Sequence, residues 1–486
     1  MTERCTVALL GAGMSGICMA IKLREAGITD LVILEKAESA GGTWHDNTYP
    51  GACCDVASHL YSFSFEPKPD WSRAFSPQPE IEAYFEHCVS KYQLRDSIRY
   101  NTEVSAAQLD EASGEWTLSL PDGEELQCKV LVSGLGQLNL PNTPAFPGQE
   151  QFSGASFHSA RWDHSVDLTG KRVAVIGNAA SAIQFIPPVA QQAEHVVVYQ
   201  RSANYIVARN DRPYLEAEQQ RYRDHPWLLK LSRLRWYLRQ ELLMFGAMLT
   251  GSLRQRLISW GAKRYLEEQI TDPELRAKLT PDYMLGCKRV LVSDDYYPAL
   301  EAGGIDIVTS PIEGIDAQGG RTADGVERPV DVIIYGTGFR ATEFLAPLQI
   351  RGRGGKLLSE VWSEGAWALR GVAVPEFPNL FMLYGPNTNL GHNSIIYMVE
   401  SQVHYIVRCI DKMLAHDIRL LEANRDCAER FNEILQEDLG ATVWGGECGS
   451  WYKNEAGKII NNWPHSSLRF RWTMRAPDFT EYDMSV

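Results

Sequence analysis

The chain has 486 residues, 44% of them hydrophobic and 22% charged, which fits two or three ordinary globular domains around a large core. Its 61 acids outnumber 47 lysines and arginines, and the net charge of −14 disfavours a polyanion over the whole surface, so no nucleic-acid partner is expected. Ten cysteines without metal-ligand spacing, an opening Met-Thr-Glu-Arg-Cys without signal-peptide character, and a longest apolar run in the helical middle (Leu242 to Leu249) far below the roughly 20 residues that span a bilayer predict a reduced, cytoplasmic protein with no metal and no transmembrane segment.

In chain order, Thr6-Val-Ala-Leu-Leu10 is a short apolar run suited to a strand buried on both faces, and Gly11-Ala-Gly-Met-Ser-Gly16 follows at once. In this strand–turn–helix context the pattern reads as a dinucleotide-binding turn. Gly11 permits the turn, Gly13 lets backbone approach a pyrophosphate, and Gly16 lets the helix pack closely. Glu35 stands 24 positions after Gly11, at the end of the next strand, where a carboxylate can accept hydrogen bonds from a ribose diol. Gly41-Gly42-Thr43-Trp44, Tyr49-Pro-Gly51 and Asp55 come next. On residue type alone, Trp44 is either a core aromatic or a ring beside a cofactor, and Asp55 either a turn cap or a site carboxylate. Cys53-Cys54 is not a redox dithiol, because bonded neighbours close a strained eight-membered ring; the pair reads as small buried hydrophobes.

Val130 to Ser133 is a further buried strand, and prolines 141, 144 and 147 stiffen the next segment, placing a domain crossing near residue 141. The spacing Phe152-x-Gly154-x-x-x-His158-x-x-x-Trp162-Asp163 comes after it; His158 and Trp162, four apart, could pack together across one helical turn as a rigid linker. A second strand and turn then repeat the first unit: Lys171 to Ile176, then Gly177-Asn-Ala179-Ala-Ser181-Ala182, with alanines replacing the second and third glycines. Arg201, beside Ser202, stands 24 positions after Gly177, where the first unit has its acid. A guanidinium there can grip a 2′-phosphate bidentately, so the second nucleotide is expected to be NADPH, held by Gly177, Ala179, Ser181, Arg201 and Ser202.

Residues 212–275 break the pattern. Leu228, Leu231, Leu234, Leu238, Leu242, Phe245 and Leu249 recur at steps of three or four, with Arg233, Arg235 and Arg239 beside them. The expectation is a helical insertion folded onto its own domain, with membrane-surface or partner contact as the minor alternative. Lys288-Arg289 follows, then the apolar strand Asp331 to Tyr335 ending in a glycine turn, a return crossing between about 340 and 350, one more strand at Leu380 to Tyr384 and a helix from about Ser394 to Leu414.

From residue 6 to about 465 these motifs, in this order, resemble the Baeyer–Villiger monooxygenases, the class B flavoprotein oxygenases, and among them most the 4-hydroxyacetophenone monooxygenase group. The resemblance implies an α/β fold of two dinucleotide-binding (Rossmann-like) domains with a helical insertion in the second: 1–141 and 342–486 for FAD, 142–211 and 276–341 for NADPH, 212–275 for the insertion. It implies FAD contacts at Gly11, Gly13, Gly16, Glu35, Gly42, Thr43, Trp44 and Asp55, with Tyr61 and Val104 as weaker candidates for the flavin and the adenine. Lys288 would touch the NADPH ribose-phosphate, and Arg289 would be the active-site arginine, oriented by Asp55. The implied activity inserts one oxygen atom of O2 next to a ketone carbonyl, by way of a flavin peroxide, to give an ester or lactone. Trp162-Asp163, where sulfur- and nitrogen-oxidising relatives end a similar pattern in Tyr-Lys, leans towards ketones. A sulfur or nitrogen oxygenase, or an NADPH oxidase without ketone oxygenation, are the alternatives.

Overall fold

The computed structural model describes residues 3–446, 449–454 and 456–486. Two parallel-type sheets organise it. β1 (Glu3–Leu10) runs into α1 (Met14–Glu25) and β2 (Leu31–Leu34). Helices α2 (Thr43–Asp46) and α3 (Gln78–Lys91) follow, then β3 (Ile98–Arg99), β4 (Ala106–Asp110), β5 (Glu115–Ser119) and β6 (Glu125–Ser133). Parallel β2 and β6 flank β1 at the centre of an eight-stranded sheet. Burial on both faces explains why β1 and β6 are continuously apolar towards their ends rather than alternating. Helix α1, buried from Ser15 to Leu23 except Lys22, is covered on its far side by the Ile395–Ala415 helix.

The second sheet repeats this plan. β7 (Ala155–His158), β8 (Arg172–Ile176), α4 (Ala182–Ala190) and β9 (His195–Tyr199) are joined, beyond the insertion, by the β10–β11 pair (Ile206–Val207 with Leu291–Val292) and by β12 (Ile305–Val308). A meander, β13 to β15 (Ile312–Ile315, Gly319–Thr322, Glu327–Pro329), leads to β16 (Val332–Tyr335). The order is β12-β9-β8-β16-β7, all parallel, so β8 lies between β9 and β16 as β1 lies between β2 and β6. After β16 the chain rejoins the first sheet through β17 (Gln349–Arg351) and β18 (Leu380–Met382).

The outward and return crossings lie side by side. Asn142 donates its N–H to the Gly338 carbonyl at 2.9 Å, Arg340 donates to Leu140 O at 2.9 Å, and Pro141 and Phe339 form an isolated bridge. The 152–163 spacing supports this junction, though not as a helical turn. His158 ends β7 and packs on Phe339 of the return crossing at 5.9 Å, whereas Trp162 packs on Phe157 and on Phe185 of α4 at 5.2 and 5.5 Å. The expected His158–Trp162 contact is replaced because β7 joins the sheet edge, and only the 3-10 turn Ser159–Arg161 lies between them.

The insertion is helical, but it straddles both halves instead of folding onto its own. Its first helices are α5 (Glu216–Asp224) and α6 (Pro226–Arg239); a π-helical turn at Gln240–Met244 leads to α7 (Phe245–Ala247), α8 (Leu253–Gln269) and α9 (Pro273–Leu279). Leu266 and Ile270 join the core of the second sheet. Helix α6 instead lies on the first half: the Arg233 guanidinium donates to the carbonyls of His59, Leu60 and Ser62 at 3.2, 3.2 and 2.7 Å, and Trp236 packs on Phe75. Most of the predicted leucine stripe faces solvent: Leu231, Leu234, Leu238, Leu242 and Leu249 are exposed and Leu228 and Phe245 half-buried, because the opposite face, with Leu229, Arg233 and Trp236, makes the contacts. Cys287 is disulfide-bonded, which corrects the expectation of a fully reduced chain; among the described residues Cys5, Cys18, Cys53, Cys54, Cys88, Cys128, Cys409 and Cys427 are free.

Candidate active site and its two nucleotide cradles

The two glycine turns share one close approach. A Cβ on Gly11 (φ +92°) would stand 3.2 Å from the carbonyl oxygen of Gly134, which follows β6; a Cβ on Gly177 (φ +106°) would stand 2.4 Å from that of Gly336, which follows β16. Each turn therefore needs glycine at its first position, and the neighbouring strand end is tight too, with a Cβ on Gly134 3.1 Å from Gly16 N and one on Gly336 3.0 Å from Ala182 Cβ. Gly16 is tighter still, since its Cβ would fall 1.9 Å from Gly11 O. Gly13 and Gly42 face each other, with a Cβ on Gly42 only 3.0 Å from the Gly13 Cα. Backbone without side chains on both walls, at the N-terminus of α1, is what a diphosphate needs.

This cradle opens into one elongated cleft lined by Gly11, Gly13, Glu35, Gly42, Thr43, Trp44, Asp55, Tyr61, Val104 and Arg289, so these expected residues meet there. Gly16 lies beneath it and shapes the turn. Glu35 is 6% exposed, and each carboxylate oxygen takes one backbone N–H, from Ala12 at 2.7 Å and from Ala37 at 2.8 Å. The turn thus fixes the carboxylate and leaves lone pairs for a ribose diol. Trp44 donates its indole N–H to the Tyr61 hydroxyl at 3.0 Å, and burial pushes that hydroxyl far above its ordinary range, so it stays neutral.

Asp55 and Arg289, from opposite halves of the molecule, form an ion pair in this cleft. The carboxylate raises the guanidinium above even the ordinary arginine range, overcoming the opposing effect of burial, so the positive charge is permanent. Tyr384 lies nearby and feels the same charge. Its backbone is left-handed (φ +55°), a conformation costly for a bulky residue. Three hydrogen bonds hold it: Gln402 Oε1 accepts from its N–H at 2.9 Å, Gln137 Nε2 donates to its carbonyl at 3.1 Å, and its hydroxyl donates to Asn389 Oδ1 at 2.7 Å. Burial pushes the Tyr452 hydroxyl, also under the influence of Arg289, up to about 12.

The second cradle brings Arg201, Ser202 and Lys288 together. Lys288 Nζ donates to Ser202 Oγ at 2.7 Å and lies 4.5 Å from the Tyr283 ring centroid. Burial, then the Arg201 charge, lowers its affinity for a proton. Two cations held together against their own repulsion suit a phosphate dianion. Ala179 is exposed, so its methyl meets no protein wall. Ser181 lies in the shared cleft, where the two cradles adjoin.

Two features have no counterpart in the motifs. Gln184 of α4 clasps the first half: its Oε1 accepts from the Tyr49 hydroxyl at 2.9 Å and from Cys53 N at 3.3 Å, and its Nε2 donates to Cys53 O at 3.1 Å. Arg209 donates to Cys53 Sγ at 2.6 Å. The left-handed Tyr384 is the other; the Gly385-Pro386 after it is its one visible trace in the sequence. Among the described residues no group of three or more His, Cys, Asp or Glu could hold a metal.

Comparison with known proteins identifies the family. A model of the flavin-binding monooxygenase-like family matches residues 4–348. A Baeyer–Villiger monooxygenase of Pseudomonas aeruginosa is 43% identical over all of this chain and 92% of its own length; one of Streptomyces coelicolor is 41% identical over 99% and 93%. Among solved structures, an oxidized steroid monooxygenase bound to NADP is 31% identical with a TM-score of 0.87 over 97% of both chains. OTEMO in complex with FAD and NADP is 26% identical with a TM-score of 0.90 over the whole of both. The chain belongs to the flavin-binding monooxygenase-like family of class B flavoproteins, and within it to the Baeyer–Villiger monooxygenases.

Proposed function

We infer that this protein is an FAD- and NADPH-dependent Baeyer–Villiger monooxygenase that inserts one atom of O2 next to a ketone carbonyl to give an ester or lactone. In the balanced reaction, ketone, O2, NADPH and a proton become ester, water and NADP+. The supporting observation is the Arg289–Asp55 pair in the cleft that also carries the first cradle. FAD reduced by NADPH supplies the activated oxygen; the protein supplies position and charge. Gly11, Gly13, Gly42, Thr43 and Glu35 would hold the FAD diphosphate and ribose, Val104 the adenine side, and Trp44 and Tyr61 the ring end. Arg201, Ser202 and Lys288 would hold the NADPH 2′-phosphate, with Gly177, Ala179 and Ser181 along the rest of the nucleotide. We assign 1–141 and 342–486 to FAD and 142–211 with 276–341 to NADPH, in keeping with the membership of the two sheets.

In this reading Arg289 presents a fixed positive charge where a ketone carbonyl oxygen gains negative charge on attack, and Asp55 keeps the guanidinium aimed there without reorganisation. Its placement favours ketones over sulfur or nitrogen, whose oxidation develops no carbonyl oxyanion. Ketone binding is known for a neighbour, a cyclohexanone monooxygenase solved with cyclohexanone bound, which is 27% identical with a TM-score of 0.88 over the whole of both chains. The test supplies purified protein with NADPH, oxygen and phenylacetone or an acetophenone, and counts ester formed against NADPH consumed. Equal amounts support the reading; NADPH consumption without ester makes the protein an oxidase.

A further inference from the structure

The insertion carries an apolar face that nothing in the described chain covers. On α6, Trp227, Leu231, Leu234 and Leu238 fall at steps of four, three and four, which is one line along a helix, and they are 62%, 53%, 49% and 42% exposed. Leu242 and Leu243 continue the exposure within the π-helical turn. Leu253, Leu257 and Trp260 make a second such line on α8. Leu468 and Trp472 add to it on the Ser467–Thr473 helix, whose first residue joins the end of α6 through Glu241 and Tyr237.

This orientation is fixed from the other side. Arg233 is spent on three carbonyls, and Glu241 accepts from Asn393 Nδ2 at 2.8 Å and from Ser467 Oγ at 2.6 Å. Rolling α6 to bury its leucines would strand a guanidinium and a carboxylate without partners. The leucines stay outside because the charges hold the inside.

Charge identifies the occupant. Residues 226–269, from α6 to the end of α8, hold eight lysines and arginines against three acids, one of them the buried Glu241, within a chain of net charge −14. Lys230 flanks one edge of the α6 line and Arg235 and Arg239 the other, while Arg475 lies 4.4 Å over Trp472 and Arg264, which also pairs with Glu268 at 2.6 Å, lies 5.5 Å over Trp260. Exposed tryptophans and leucines edged by long cations form the pattern of a helix lying in a bilayer interface, where stems reach up to the headgroups. A second copy meeting this face by two-fold symmetry would bring the same cations together.

We propose that the outward face of the insertion docks the enzyme on anionic lipid bilayers, with α6 lying in the interfacial plane and Trp227, Leu231, Leu234 and Leu238 facing the acyl chains. The test sediments FAD-loaded enzyme with sucrose-loaded vesicles, either phosphatidylcholine alone or an equal mixture with phosphatidylglycerol. Binding to the mixed vesicles should be at least about tenfold tighter and should weaken with salt. Leu231→Ser, Leu234→Ser and Leu238→Ser together should weaken it at least about tenfold. Flavin content and vesicle-free ketone conversion should be unchanged. Failure to sediment with either vesicle overturns the proposal. So does binding indifferent to the serine substitutions, which would be surface charge alone, or a concentration-dependent dimer in analytical ultracentrifugation that the same substitutions dissolve.

Discussion

Asp55 and Arg289 lie 234 positions apart and on opposite halves of the molecule, yet their carboxylate and guanidinium meet in one cleft. Neither half alone presents an oriented cation beside the first nucleotide cradle. The charge is wanted when a carbonyl oxygen becomes an oxyanion, so its loss should fall on oxygen transfer rather than on folding. Arg289→Ala should keep FAD and still oxidise NADPH, releasing hydrogen peroxide, while ketone conversion drops by at least about a hundredfold. Arg289→Lys should recover little, because it lacks the planar fork that Asp55 aims. Ester yield per NADPH for wild type and both variants decides it; near wild-type yield from the alanine variant would place the cation elsewhere.

Two glycines of the first turn should fail differently. Gly16→Ala drives a Cβ into the Gly11 carbonyl at 1.9 Å, so the strand–turn–helix unit itself must shift, and little soluble, cooperatively melting protein is expected. Gly13→Asp has room within the protein, its Cβ 3.5 Å from the Gly42 Cα, but sets a carboxylate where a diphosphate must pass. That variant should fold and be colourless. A normal flavin spectrum from Gly13→Asp would remove the first turn from the FAD assignment.

Arg201→Ala should raise KM for NADPH at least about tenfold, the scale of about 1.4 kcal/mol, and leave KM for NADH nearly unchanged. Lys288 adds a pH dependence. Burial and then Arg201 hold its ammonium below the ordinary lysine range, so it loses its charge earlier as pH rises. KM for NADPH should therefore climb on the alkaline side while KM for NADH stays flat, and Lys288→Arg should flatten the NADPH profile. Parallel profiles for the two nucleotides would show that Lys288 does not read the phosphate.

Glu241 ties the insertion to the Asn393 side of the cleft. Burial pushes its carboxyl up, but the His392 ring 3.4 Å away and hydrogen bonds from Ser467 and Asn393 bring it down to about 2. A depressed carboxyl contributes stability that is present above its ordinary value of 4.5 and lost as pH falls towards 2. Glu241→Gln should lower stability at neutral pH by about 3 kcal/mol and flatten the melting temperature between about pH 5 and 2. An unchanged acid limb in thermal melts would show that this carboxylate is not what acid titrates.

The sequence was most legible where a backbone rule or a charge substitution spoke. Gly11, Gly13 and Gly16 are dictated by sterics that any such turn shares, and Arg201 in the place of an acid pointed to the cations that gather around Ser202. It was least legible where orientation depends on partners distant in the chain. The leucines of α6 have the spacing of a core stripe, but Arg233 and Glu241 find partners at residues 59–62 and 467 and turn the stripe outward. His158 and Trp162 have helical spacing, but β7 takes the first of them for a sheet edge. Gln184 and Tyr384 carry no periodicity at all.

The Gln184 clasp also sets the mechanics of the molecule. One amide pins α4 to Tyr49 and Cys53 at a point beside the cleft. Displacement in a rotation grows with distance from its axis, and Asp55 is two residues from the pin. A rotation of one half against the other about this contact would therefore displace Asp55 far less than the outer reaches of the second sheet.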